Sequence, residues 1–443
     1  MMKKIIIFLL VIFSVYAANR VCRDPSGKEV DWYSIFFMPV SISTDGIIDY
    51  AYFDPTRDEL DYYKYDENTF PPTRITKYIT DSEDIDFNYF LWNDDKTVKN
   101  GTSSSAASSK AHAKGTLIYD ANNGTFLLHS LPRFPTRTSE NEVLTELPSN
   151  GGSYGQTFLC ISIIKETAEV IAKLLNYINV SINKSVSSDR VNETPNEWIT
   201  KLITNRMSSS YPNEHKNIIY SIAGEEFTFY GKNYKNTIIP FDTTMRENYN
   251  DDFYVRTWSR PSLAPAQYDT YKLVNVIDVK FGTFQYGVTK EHSKWGITKD
   301  KNIVCFADLN HTESQKDRGG HIICFENEKL HNIMKNAIIS TDEEEQGEDS
   351  SSEDTSESSS KDTSKSSSED TAESSSKDTS ESSSEDTTES SSKDTSKSSL
   401  EDTIETPNKD TSKSPSEESN PLENYKSFFE FKFYIFTLYL LLL

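Results

Sequence analysis

The stretch AHAKGTLIYD at residues 111–120 returns as EHSKWGITKD at residues 291–300. His112 and Lys114 are matched by His292 and Lys294, and an Asp closes each copy, Asp120 and Asp300. On an extended strand, positions i and i+2 face the same side, so each copy is expected to project an imidazole and an ammonium together. The interval between the copies has the length of half a domain. It predicts an α/β fold of two similar halves related by a pseudo-twofold axis, with two His and two Lys around one anionic centre.

That set of groups suits phosphodiester chemistry without a metal. One imidazole attacks phosphorus, the other protonates the leaving oxygen, and the ammoniums neutralise the phosphoryl oxygens. Such a pair works best with one ring neutral and one protonated, which mildly acidic pH favours. The other histidines at 215, 321 and 331 lack partners at metal-ligand spacing and read as core or surface, so no cofactor and no metal site is expected. Trp295, directly after the second motif, reads equally as a wall of the site or as core.

Outward from the motifs, apolar runs predict strands at Trp32–Phe37, 116–119, 125–128, 157–164 and 274–279. Helical periodicity appears at 166–178, 196–205 and 329–339, with Ile171, Leu174, Leu175 and Ile178 on one face of the first. Pro195 is a start signal for the second. Residues 103–109 read as a small-residue loop leading into the first motif. These elements suggest mixed sheets packed by helices over residues 18–340, with halves at about 18–185 and 186–340.

The formal net charge of −23 over 443 residues argues at first against a polyanionic substrate. Residues 341–421, however, hold 25 Asp and Glu against 7 Lys, a net of −18, which leaves −5 for everything else. Within 350–421 the chain repeats every eight residues in Ser, Thr and charged residues with almost no apolar side chains. It cannot offset the entropy of ordering and is expected to be disordered, either a stalk or an expansion without function.

Both ends read as processing signals. Lys3 and Lys4 precede an apolar run and a small-residue cleavage site at Ala17, so residues 1–17 are expected to be a signal peptide. The apolar segment 422–443 after a polar spacer resembles a glycolipid-anchor signal, with Ser419 or Asn420 as the attachment position, although Pro421 is unfavourable there. It is too short for a membrane span. Secretion makes disulfides expected: Cys305 and Cys324 flank the Gly319–Gly320 turn signal, which leaves Cys22 for Cys160. Sequons at Asn100, Asn123, Asn179, Asn183 and Asn192 fit glycosylation in the same compartment, lysosomal or secreted.

Further motifs run in order along the body: Cys22-Arg23-Asp24, Tyr52-Phe53-Asp54, Leu91-Trp92-Asn93-Asp94, His129-Ser130-Leu131-Pro132-Arg133, Tyr154-Gly155-Gln156-Thr157, Asp308-Leu309-Asn310 and Arg318-Gly319-Gly320. Together with the two His-x-Lys copies they resemble the deoxyribonuclease II family, a branch of the phospholipase D superfamily, over nearly all of residues 22–340. The resemblance implies two phospholipase D-like halves with one shared active site. It also implies an acid, divalent-metal-independent endonuclease that cuts double-stranded DNA and leaves 3′-phosphate ends. Carried over residue by residue, His112 and His292 are the catalytic pair and Lys114 and Lys294 hold the phosphate; which His is the nucleophile stays open, with His112 mildly preferred. Asn310, His129 and Arg318 are then expected to bind substrate, with a structural hydrogen-bonding role the equal alternative for His129, and the sequon at Asn310 is left unused.

Departures from the family pattern are specific. Phe36-Phe37-Met38-Pro39 stands where a Lys is usual, and His311 follows Asn310 where Arg is common. Asp120 and Asp300 sit one position later than in the phospholipase D pattern and receive no catalytic role. Arg133, Arg137, Lys110, Lys290, Lys299 and Lys316 are candidates for a basic DNA groove, with solvated surface as the default for each. Two other functions fit the sequence: a phospholipase D-type lipid phosphodiesterase, and a non-catalytic DNA-binding surface protein on an acidic stalk. Oligomeric state leaves no mark.

Overall fold

The computed structural model describes residues 20–80, 86–97, 103–105, 109–135, 146–148, 151–191, 196–204, 214–258, 263–265, 267–268 and 270–343. All of them lie in one compact unit within Met1–Ser358. The expected signal peptide at residues 1–17, Asn100, Asn192, Arg137, the acidic repeat and the C-terminal apolar segment lie outside the described residues.

Two large sheets carry the fold. The first holds eight strands in the spatial order Ile182–Val186, Asn88–Trp92, Gly115–Tyr119, Asn123–His129, Gln156–Ile164, Trp32–Phe37, Asp49–Phe53 and Asp61–Lys64. In the second, ten-stranded sheet the central order is Phe253–Arg256, Trp295–Thr298, Ile303–Ala307, Gly320–Glu326 and Glu226–Lys232. These five match Asn88–Trp92 through Trp32–Phe37 in order, and every pairing among them is antiparallel in both sheets. Lys272–Phe281 runs parallel to Phe253–Arg256 and makes the second sheet mixed.

Alternation along each strand decides which face each residue covers. Leu117, Phe126, Leu128, Leu159 and Ile161 join the cluster shared with Phe229, Trp295, Ile297, Phe306, Ile323 and Phe325 of the second sheet. Their neighbours Ile118, Leu127, Phe158 and Cys160 point to the opposite face, under Phe70, Ile75, Leu131 and Phe134. The sheets therefore meet face to face, with Trp32 against Phe325 at 4.9 Å between ring centroids and Phe36 stacked on Phe281 at 5.0 Å. Trp295 is 1% exposed and belongs to this core rather than to a wall of the site.

Each half follows its third motif-sheet strand with a helix, Lys165–Ile178 and Glu328–Ala337. Ile171, Leu174, Leu175 and Ile178 are buried on the first, and Asn179 ends it in the left-handed conformation. The backbone carbonyl of Asn179 accepts from Ala111 N at 2.9 Å, and its side-chain carbonyl accepts from Lys110 Nζ at 2.9 Å. The helix end thus anchors the segment that carries the first motif. A disulfide joins Cys22 to Cys160 across 138 positions, and another joins the directly paired Cys305 and Cys324 on adjacent strands. Residues 103–105, read as loop from the sequence, form a short strand against Asp95–Thr97. Among the described residues no helix is long and apolar enough to cross a membrane.

Candidate active site

The two His-x-Lys motifs precede their strands rather than lying within them, since the strands begin at Gly115 and Trp295. Each motif is fastened by the opposite half. His112 N donates to Gly319 O at 2.8 Å, and His292 N donates to Gly155 O at 2.9 Å. Glycine is required at both acceptors by close approach. A Cβ on Gly319 would stand 2.4 Å from Ile178 O, and one on Gly155 would stand 2.6 Å from Glu291 Oε1.

The rings are also set crosswise. His112 Nδ1 lies 2.9 Å from Asp308 O, and His292 Nδ1 lies 3.0 Å from Ser130 O. A carbonyl only accepts, so both rings carry their proton on Nδ1 and leave Nε2 for chemistry. The supports correspond too: Asp308 Oδ2 accepts from His321 N at 3.0 Å, and Ser130 Oγ accepts from Thr157 N at 2.9 Å. Gln156 Oε1 adds a second contact to His292 Nδ1 at 3.2 Å.

Electrostatics then separates the halves. Lys114 Nζ donates to Asp94 Oδ1 at 2.5 Å, Arg318 Nη2 donates to Asp94 Oδ2 at 3.1 Å, and His112 Nε2 is 3.7 Å from the same oxygen. Burial pushes the Asp94 carboxyl up, but Lys114, His112 and Arg318 outweigh it and hold the group well below the usual range. No carboxylate faces His292 Nε2 among the described residues. Its surroundings are Trp258, 5.1 Å away between ring centroids, and Tyr154 at 6.5 Å. Behind it Glu291 forms a fully buried pair with Arg256 (Nε to Oε2, 2.6 Å) and accepts from the backbone N–H groups of His292 and Ser293.

Burial, followed by the nearby Lys114, lowers the His112 pKa well below the ordinary imidazole value, and Asp94 opposes the shift. Burial, then Lys294, Lys114 and His112, lowers that of His292. Lys294 is also held well below an ordinary ammonium by burial and by Lys114. Cationic groups from both halves thus crowd a desolvated centre, and an anion placed among them relieves their repulsion. Among the described residues no group of three or more His, Cys, Asp or Glu is arranged to hold a metal ion.

The remaining candidates divide. Asn310 is buried with Oδ1 unpartnered among the described residues, and burial closes off its amide to a glycan. Arg318 reaches the centre through Asp94. His129 lies in the core, stacked on Phe158 and edge-on to Phe134, so its placement offers packing rather than a direct substrate contact. Lys299 and Lys316 pair with Asp252 and Glu313, and Arg133 pairs with Asp95. Asp120 and Asp300 lie at the far ends of the motif strands, where Asp120 holds Arg20 and a turn. Asn123 and Asn183 are partly buried at strand positions, and the Asn179 amide nitrogen donates to Ser109 O.

Sequence reasoning missed Asp94, Gln156, Glu291, Arg256 and Trp258 as site residues. Asp94, Gln156 and Glu291 sit inside stretches quoted for the family resemblance, a usable signal. Arg256 and Trp258 lie outside every such stretch.

Fold and site together define a two-half α/β protein with a single His/Lys centre between its halves. Residues 21–344 match the Deoxyribonuclease II family, and the chain belongs to that family. It is a nuclease, a hydrolase. The chain is similar to Deoxyribonuclease-2 of Caenorhabditis elegans, 26% identical over 358 residues that cover 72% of this chain and 93% of the relative. It is similar to Plancitoxin-1 of Acanthaster planci at 26% identity, covering 76% and 98%. Deoxyribonuclease-2-alpha of Rattus norvegicus is 26% identical, with 72% and 93% covered.

Proposed function

We propose that this chain is an acid endonuclease that hydrolyses double-stranded DNA without a divalent metal and leaves 3′-phosphate ends. The observation that carries the proposal is the crosswise docking of His112 and His292, each with Nδ1 spent on a carbonyl of the other half and Nε2 left for substrate. Lys114 and Lys294 receive the phosphoryl oxygens, and Arg318 borders the same centre through Asp94.

Asp94 favours a protonated ring at His112, and among the described residues no carboxylate does so at His292. This reverses the order taken from sequence. His292 Nε2 attacks phosphorus, the P–O5′ bond breaks, and His112 Nε2–H delivers its proton to O5′. Water then loses a proton to His112 and attacks phosphorus, the P–N bond breaks, and the 3′-phosphate leaves. Because both rings are lowered by burial and neighbouring cations, charging His112 needs acid and the bound phosphodiester.

The same reading places the mature chain outside the cell or in the lysosome, with residues 18–340 as catalytic body and glycans at sequons such as Asn123 and Asn183. Plasmid nicking in chelator across pH 4 to 8 tests the activity. Cleavage is expected on the acidic side and lost in His292→Ala. Undiminished cleavage by that variant, or cleavage that needs added divalent metal, would overturn the proposal.

A further inference from the structure

His311 takes no part in the chemistry above, yet it is fully buried one residue past Asn310. Its Nδ1 lies 2.7 Å from Asn275 Oδ1, and its Nε2 meets Asp242 Oδ1. Both partners are oxygens. The Asn275 amide is not free to turn, because its Nδ2 donates to Ala264 O at 3.0 Å and to Asp342 Oδ2 at 2.8 Å. Its oxygen must therefore face the ring. A neutral imidazole has one N–H and satisfies one of the two acceptors. The arrangement is complete only with both nitrogens protonated.

The charges around this ring come from several elements. Asp242 supplies the compensating carboxylate from the turn Phe241–Met245. Asp342, after Ile338–Thr341, stands behind Asn275. Lys316 faces Asp242, and Arg246 donates to the Asp242 backbone carbonyl.

The same residue clamps both half-sites. Its N–H donates to Thr257 Oγ1 at 3.0 Å, and its carbonyl accepts from Ala264 N at 2.8 Å. Thr257 adjoins Trp258, which stands against His292, and three residues back Asp308 O orients His112. We infer that His311 is a positioning residue whose doubly protonated ring holds the 308–311 segment and the Thr257–Trp258 backbone in register with the two catalytic histidines. The inference rests on the endonuclease reading. When the ring loses a proton, one nitrogen lone pair faces an oxygen, and the clamp loosens.

The test combines spectroscopy with a variant that rewires the bond. In nitrogen-15 histidine spectra of the intact protein at pH 5, both His311 nitrogens should resonate as protonated. Asp242→Asn supplies an amide N–H that a neutral ring can accept from, so the clamp closes without the extra proton. Its ratio of kcat/KM at pH 7 to that at pH 5 should rise above the wild-type ratio. His311→Gln should lose roughly 10-fold to 100-fold in kcat at pH 5, the scale of a small misplacement of reacting groups, with KM little changed. A singly protonated His311 at pH 5, or identical pH profiles for wild type and Asp242→Asn, overturns the inference. Absence of cleavage by wild type at every pH sinks the endonuclease reading instead, and the spectra still decide the state of His311.

Discussion

The two halves build the same scaffold around their motifs and then furnish it differently. Both precede an antiparallel trio of strands with His-x-Lys, both donate a backbone bond to a glycine carbonyl of the other half, and both aim Nδ1 at a carbonyl across the interface. At the position where the first half puts Asp94 beside His112, the second puts Trp258 beside His292. Symmetric geometry with asymmetric charge is what a two-step displacement needs, since one imidazole must begin neutral and the other protonated.

The largest expected effect breaks the pair itself. His112→Ala and His292→Ala should each lower DNA cleavage by on the order of 10³-fold or more. The two should part company on a phosphodiester with a nitrophenolate leaving group, which needs no proton. There His112→Ala should still form and accumulate an acid-labile phosphohistidine at position 292, and His292→Ala should form none. Mass-spectrometric detection of the adduct on His112 would invert the role assignment.

Next come the ammoniums. Lys294→Met and Lys114→Met should both lower kcat by roughly 10²-fold to 10³-fold, as for loss of a group that stabilises developing charge. Their stabilities should differ in sign. Lys294 is buried and its charge disfavoured, so its removal should raise or preserve Tm; Lys114 balances Asp94, so its removal should lower Tm. Equal melting shifts would erase this part of the comparison.

Asp94→Asn sharpens the asymmetry directly. With the carboxylate gone, the charged form of His112 loses a favourable neighbour, so the alkaline limb of the kcat profile should move to lower pH. A loss of about 10-fold in kcat at pH 5 is expected. An unmoved limb would assign Asp94 to holding Lys114 and Arg318 alone.

The smallest effect concerns stability rather than rate. Burial, and then Lys114, pushes His129 down to about 3. A depressed histidine stabilises the fold above its unfolded value, and that contribution is lost as pH falls toward the folded value. Between pH 7.5 and 4.5 wild type should lose about 2–3 kcal/mol through this group. In His129→Phe the fall in Tm across that interval should be visibly shallower. Parallel melting curves would show that His129 does not govern acid stability.

Much of this was legible along the chain because local patterns have local causes. A continuous apolar run marked Trp32–Phe37 as a strand, and Ile171, Leu174, Leu175 and Ile178 marked a helix by their 3.6-residue period. The misplacement of the motifs within strands came from treating i and i+2 geometry as proof of pairing. The chain before Gly115 and Trp295 is held by Gly319 and Gly155, which lie far away in sequence. Asp94 and Arg318 meet across 224 positions, and nothing near either residue announces the other.

Sequence by itself determined the chemical repertoire: two imidazoles and two ammoniums in matched copies, alternating strands to carry them, and an acidic repeat set apart from a body near neutrality. Only the tertiary structure decided how those groups differ. Which nitrogen points away from its carbonyl partner, which ring has a carboxylate beside it, and which histidine is locked between two oxygens all depend on distances of a few ångströms. Those distances arise where two sheets meet, and electrostatic and hydrogen-bond energies fall off over the same few ångströms.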